Sequence, residues 1–333
     1  MHARGARDRA RPEKLTHEQR LEALALIHQV YETDTHVASP ELFFPEPSEI
    51  EPSFHEAREG VWDAEWPSTF TPYLHAVAER YLANVANRTA RARAFLATPP
   101  RDTTKRPAVI AIHGYMGGHW LLEEATWPIP WLMKRGLDVA LPVLPFHALR
   151  GGVRRGAPPF PSADPRRTNE GFRQAVSDIV ALARWLRARG APRVGVMGVS
   201  LGGFTSALLA TVSRDFDFVM PMIPLASIAD FAREQGRLGN GPGAEEQHAA
   251  LERANWIVSP MARPLLVAKS RALVVAAEHD RITPVAHAGR IAKHFDCEMV
   301  TIPGGHLVQL GRSEAFRALA KMLVREGIIA GTR

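Results

Sequence analysis

Three side chains in this sequence have the types and the order needed for nucleophilic acyl transfer: Ser200, Asp280 and His306. A serine hydroxyl is a poor nucleophile until a base removes its proton, and an imidazole base needs a third group to orient it. Ser200 stands in Gly198-Val199-Ser200-Leu201-Gly202, with Gly203 following, between the apolar run 194–197 and the helix-forming run 201–211. Glycines two positions either side of the serine allow a strand-to-helix turn too tight for larger side chains. Such a turn exposes the hydroxyl at the positive end of a helix.

Asp280 follows the apolar run 271–277, and His306 follows 300–302 through Pro303-Gly304-Gly305. Both therefore stand at carboxyl ends of neighbouring predicted strands, on the edge that carries Ser200. Serine, then acid, then histidine is the chain order that goes with this turn. Glu278 and Asp230 are rival acids, and Glu278 lies closer to the strand proper. His279, His287 and His294 are rival bases on less suitable helices or turns. A fourth piece is His113-Gly114-Tyr115-Met116-Gly117-Gly118, a glycine-rich turn after the run 108–113. It is suited to aim the Tyr115 N–H, with the Leu201 N–H as partner, at the oxygen of a tetrahedral intermediate. His113 and His119 have no carboxylate or thiol at ligand spacing, so a structural or pocket-wall role fits them better than a metal site. Trp120, Trp127 and Trp131 read as core or lid packing, and Cys297 as packing.

The elements that must hold these groups follow from periodicity. Thr16 and Gln19 form a capping box ahead of Leu21, Leu24, Ile27 and Tyr31, which predicts an amphipathic helix over 16–31. Residues 1–14 are polar and basic and are expected to be disordered. The proline- and aromatic-rich stretch 39–72 reads as an irregular arm that wraps over the body. Residues 88–96 alternate with period two, as a strand with one wet face at the antiparallel edge of a mixed sheet. The continuous apolar runs 108–113, 137–143, 193–197, 216–222, 271–277 and 300–302 suit buried parallel strands, with helices between them. Strands alternating with helices predict an α/β fold, a mostly parallel sheet covered on both faces. Residues 225–262 exceed what a crossover needs and are expected to be a small helical cap over the carboxyl edge, where ligands bind in open α/β sheets. The division that follows is an N-terminal extension over 1–87, a catalytic domain over 88–325 with its cap insertion, and a C-terminal tail over 326–333.

Composition narrows the function classes. A chain of 333 residues, 46% hydrophobic and 23% charged, is ordinary for a soluble globular protein. No apolar run approaches the roughly 20 residues of a membrane span, so stable membrane insertion is not expected. The Arg-rich start is not followed by an apolar segment, unlike a secretory signal. One cysteine fits a reducing cytoplasm. The net charge of +6 comes from arginines scattered on helix faces; only six of the 41 basic residues are lysine. A nucleic-acid binder would gather them in one stripe with aromatics, so no nucleic-acid partner is expected.

The His113-Gly114 loop, the Gly198–Gly202 turn, Asp280 with Pro284 behind it, and Gly305-His306 together resemble the α/β-hydrolase superfamily, over roughly residues 88–325. The stretches around Pro224-Leu225 and Gly305-His306 are also similar to the α/β-hydrolase domain-containing protein 18 group. The resemblance implies an α/β-hydrolase fold and a serine esterase or lipase-type activity without metal or organic cofactor. The expected reaction is hydrolysis of a carboxylic ester, small or lipid, through an acyl-enzyme. Acyl transfer and amide or peptide hydrolysis use the same groups. A non-catalytic binding protein on this scaffold is the alternative of another class.

Overall fold

In the computed structural model, which describes residues 15–152, 156–238 and 241–331, the apolar runs join in one nine-stranded sheet. The strands are β1 (Ser53–Arg58), β2 (Val61–Pro67), β3 (Thr89–Phe95), β4 (Ala108–Ile112), β5 (Asp138–Pro142), β6 (Val194–Val199), β7 (Phe218–Met222), β8 (Leu273–Ala277) and β9 (Glu298–Ile302). Their spatial order is β1-β2-β3-β5-β4-β6-β7-β8-β9. β1, β2 and β3 join antiparallel, and every pair from β5 across to β9 is parallel.

Every residue of β4, β5, β7 and β8 is buried, which is why these strands read as continuous apolar runs. Alternate β4 residues serve opposite cores. Ala108, Ile110 and Ile112 pack with Phe172 of the helix Pro165–Ala188 and Phe204 of the helix Leu201–Val212. Val109 and Ala111 pack with Phe316 and Leu319 of the helix Arg312–Arg325. Burying one such large apolar side chain contributes about 1.5–3 kcal/mol before the entropy of ordering it. The sheet is thus covered on both faces, and the carboxyl ends of β4, β6, β7, β8 and β9 face one edge.

Residues 39–72 are not an irregular arm. They hold the helix Pro40–Phe43 and the antiparallel pair β1 and β2, which extend the sheet by two strands. β3 is therefore not an edge strand. Its arginine face, expected to be wet, is sealed by cross-strand pairing, with Asp63 opposite Arg93 and Glu65 opposite Arg91. Arg93 donates through Nε and Nη2 to the two Asp63 oxygens, at 2.7 Å each, and through Nη1 to Glu124 at 2.7 Å. Phe43, Phe44, Trp66 and Phe70 are buried in the cluster that holds Phe172 and Phe204.

The helix His17–Val30 carries the capping box of Thr16 and Gln19 and buries Leu24 and Ile27. Just beyond it, the Tyr31 hydroxyl donates to Glu170 Oε1 at 3.0 Å. The same carboxylate accepts the N–H groups of Tyr73 and Leu74, at 3.0 Å each. One core therefore spans residues before and after position 88. Residues 326–331 are no loose tail, since Ile328 and Ile329 are buried beside Phe316. The expectations for 1–14, for 332–333 and for Gly239 and Asn240 within 225–262 lie outside the described residues.

Between β7 and β8, the segment 225–262 forms the helices Ile228–Glu234 and Pro242–Asn255. The second lies along the helix His17–Val30, with Arg20 donating to Gln247 at 2.8 Å and His17 bonded to Glu246 at 2.8 Å. Among the described residues no helix is long and apolar enough to cross a membrane.

Candidate active site

Ser200 stands between the end of β6 and the first residue of the helix Leu201–Val212, with φ 56° and ψ −112°. That backbone region is strained for a residue bearing a Cβ, and neighbouring contacts must hold it. The Ser200 N–H donates to the Met222 carbonyl at the end of β7, at 3.0 Å. The flanking glycines are needed for close approach. A Cβ on Gly198 would run into the carbonyl of Gly202, and one on Gly202 into the carbonyl of Ile112 on β4. Turn, helix and two strands thus meet at backbone contact.

The loops after β8 and β9 bring the other two groups to this point. His306 Nε2 lies 2.9 Å from Ser200 Oγ, and His306 Nδ1 lies 2.8 Å from Asp280 Oδ2. Asp280 is held in turn. Its Oδ1 accepts the N–H groups of Ile282 and Thr283 at 2.8 Å each, and Oδ2 lies 2.9 Å from the Thr283 hydroxyl. Burial opposes ionisation of this carboxyl, but the His306 imidazole and the N–H groups of Thr283 and Ile282 outweigh it and hold the group below the usual carboxylate range. An ionised acceptor at 2.8 Å fixes the proton of His306 on Nδ1 and leaves Nε2 to accept from the serine hydroxyl.

The third piece is the turn after β4. Gly114 packs against Val199 and Ser200. Its carbonyl is held from two sides, by His113 Nδ1 at 2.7 Å and by the Gly117 N–H at 3.0 Å. His113 Nε2 accepts the Leu144 N–H at 3.0 Å, so the proton of this imidazole sits on Nδ1. Burial, with His147 beside it, keeps His113 neutral far below the usual histidine range. In a trans peptide the carbonyl and the following N–H point opposite ways. Pinning the Gly114 carbonyl therefore turns the Tyr115 N–H the other way. Glu123 Oε1 accepts the Gly118 N–H at 2.8 Å and holds the far end of the turn. The Leu201 N–H, first in its helix, is one of the donors a helix leaves without an internal partner.

The model of the prolyl oligopeptidase family matches residues 168–308, a span that includes Ser200, Asp280 and His306. Two uncharacterized proteins of Mycobacterium tuberculosis are 28% identical over 273 residues, which is 80% of this chain. The chain spans 64% of the length of those relatives. An acetyl xylan esterase from Paenibacillus sp. R4 superposes with a TM-score of 0.59 at 14% identity, over 90% of this chain and 98% of its own. Acetyl xylan esterase 1 from Thermoanaerobacterium sp. JW/SL YS485 gives 0.53 at 18% identity, over 92% and 94%. These two structural likenesses speak to the fold. The chain has the α/β-hydrolase fold.

Three of the rival residues are engaged elsewhere. Asp230 bonds His248 at 2.7 Å and pairs with Arg290 and Arg233. His287 bonds Glu234 at 3.0 Å, and its Nδ1 accepts the Ala226 N–H. His294 donates to the Arg263 carbonyl at 2.8 Å. Sequence reasoning missed Thr283, which braces Asp280 and also reaches the Ile223 carbonyl at 3.0 Å. It missed Glu123 and His147 as well. His147 is fully buried, its Nδ1 donates to the Pro145 carbonyl at 2.9 Å, and its ring lies 5.0 Å from that of His113. Burial pushes His147 down to about 4. Only the position of Thr283 three residues after Asp280 was a usable signal; Glu123 and His147 carry no spacing that marks them.

Proposed function

We propose that this α/β-hydrolase cleaves carboxylic esters through Ser200, His306 and Asp280. His306 Nε2 takes the Ser200 proton as Oγ attacks the ester carbonyl carbon. The carbonyl oxygen takes up the negative charge and is received by the N–H groups of Tyr115 and Leu201. Asp280 orients the imidazole and stabilises its protonated form without itself taking the proton. The carbon–oxygen bond to the leaving group breaks, His306 returns the proton to that oxygen, and an acyl-enzyme on Ser200 remains. Water deprotonated by His306 then attacks the acyl carbon and releases the acid.

The observation that carries this reading is the continuous hydrogen-bonded line from Ser200 Oγ through His306 to a carboxylate held ionised. Labelling with a fluorophosphonate probe and turnover of activated esters test it. Both are expected in the wild type, and both are lost in Ser200→Ala. Equal labelling or turnover by Ser200→Ala would refute it. The match to the prolyl oligopeptidase family supports amides as a second substrate class on the same groups. A matched ester and anilide pair, assayed side by side, separates the two.

A further inference from the structure

A cavity of about 900 Å³ lies between the helix His17–Val30, the helices Ile228–Glu234 and Pro242–Asn255, and the start of the helix Leu201–Val212. Its walls include Ala23, Leu26, Leu201, Ile228, Phe231 and Leu251. Leu26 stays 56% exposed there, and Leu15 and Val30, also on the wall, are exposed too. Among the described residues these apolar side chains are left uncovered, a condition that soluble surfaces seldom keep over a contiguous area unless a ligand or partner uses it. The charged groups on the wall have partners of their own: Arg166 pairs with Asp164, Arg20 donates to Gln247, and Arg237 lies over the Phe231 ring.

We infer that this cavity seats the aliphatic chain of a long-chain acyl ester, with the helices His17–Val30, Ile228–Glu234 and Pro242–Asn255 acting together as its roof. The inference rests on the ester reading above and names the substrate class for it. Position assigns the chain to the acyl side. The tetrahedral carbon at Ser200 carries its oxyanion toward the Tyr115 and Leu201 N–H groups and its leaving group toward His306 Nε2, which must protonate it. None of the residues after β8 and β9 that hold Asp280 and His306 lines the cavity. Leu201 does, and so does Leu225 just beyond β7. The cavity therefore opens away from the leaving group, where the acyl substituent points. An acetyl group would leave nearly all of this volume unfilled, and pockets for whole ligands run to about 300–1,000 Å³. A sugar would need a hydrogen-bond partner for each hydroxyl along its length, whereas most of this wall is aliphatic or aromatic; a methylene chain needs none.

The test pairs turnover with binding. For p-nitrophenyl esters from acetyl to dodecanoyl, kcat/KM is expected to rise with length, by at most about fourfold per methylene, the limit set by complete burial. Dodecanoic acid is expected to bind Ser200→Ala protein in calorimetry. Ala23→Trp places a large ring on the cavity wall from a site exposed on its helix, so folding is not at stake. It is expected to lower the decanoyl-to-acetyl ratio of kcat/KM at least about tenfold, and to weaken dodecanoate binding similarly, with Ala23→Leu in between. Turnover that falls from acetyl onward, with no dodecanoate binding, overturns the acyl-chain site and leaves the esterase reading intact. Dodecanoate binding that Ala23→Trp weakens, without turnover of any ester, supports the site and defeats the ester chemistry instead.

Discussion

Acid should loosen this protein through two imidazoles that are buried neutral beneath the Gly114–Gly118 turn. His147 falls from 6.5 to about 4 on folding. The sign follows from proton uptake: between those values the unfolded chain binds a proton that the folded chain refuses, so stability drops as pH falls. One unit corresponds to about 1.36 kcal/mol, which makes the whole shift worth about 3 kcal/mol. At pH 4.5, half a unit above the folded value, about 2.5 kcal/mol of it has been lost. Against the about 5–15 kcal/mol that holds a typical domain, that is a large share. His147→Gln keeps an N–H donor for the Pro145 carbonyl and does not titrate. Urea unfolding of both proteins at pH 7.5 and 4.5 isolates the effect, provided the denaturant slopes agree. His113 shifts in the same direction, chiefly through its own burial, which both proteins keep; the smaller share that His147 imposes on it belongs to the difference between them. The depressed carboxyls of Asp280 and Asp230 stabilise the fold above the unfolded value of about 3.9, and that contribution is lost only below it, outside the window. Parallel losses of stability in the two proteins would refute the reasoning.

Three further outcomes follow from the geometry. Asp280→Asn should fold yet lower kcat on activated esters by about 10⁴, because an amide no longer fixes the His306 proton on Nδ1; steady-state kinetics reads this, and a loss under tenfold would count against the assigned role. His113→Ala removes one of the two donors that hold the Gly114 carbonyl and should cost up to about 10²–10³ in kcat through the Tyr115 N–H, with Ser200 labelling slowed in proportion. Arg150 and Asp178 form an ion pair at 2.8 Å in which both side chains are buried. Asp178→Ala should therefore destabilise the fold by about 3–5 kcal/mol in chemical denaturation, while Arg187→Ala, on a partly exposed pair with Asp217, should cost about 1 kcal/mol or less.

The sequence by itself determined the parts whose cause is local. The glycine at 198 is dictated by the Gly202 carbonyl four residues on, and although the Ile112 carbonyl that requires Gly202 lies on another strand, the pattern of the serine turn could be read from five residues. The order of Ser200, Asp280 and His306, each after an apolar run, follows from parallel strands that all end on one edge. Runs such as 108–112 and 273–277 announce themselves because strands buried on both faces have no polar alternation. Tertiary structure alone decided the rest. β1 is exposed along almost its whole length and has no apolar pattern; it is a strand because β2 offers it backbone partners. β3 looks wet until Asp63 and Glu65 arrive from another strand to neutralise its arginines. Glu170 and His147 matter through Leu74 and His113, which are far away in the chain, and burial shifts the titration of both. The same holds for the cavity: its two walls are separated by some two hundred residues, and only packing of the helix His17–Val30 against Pro242–Asn255 makes one enclosed space of them.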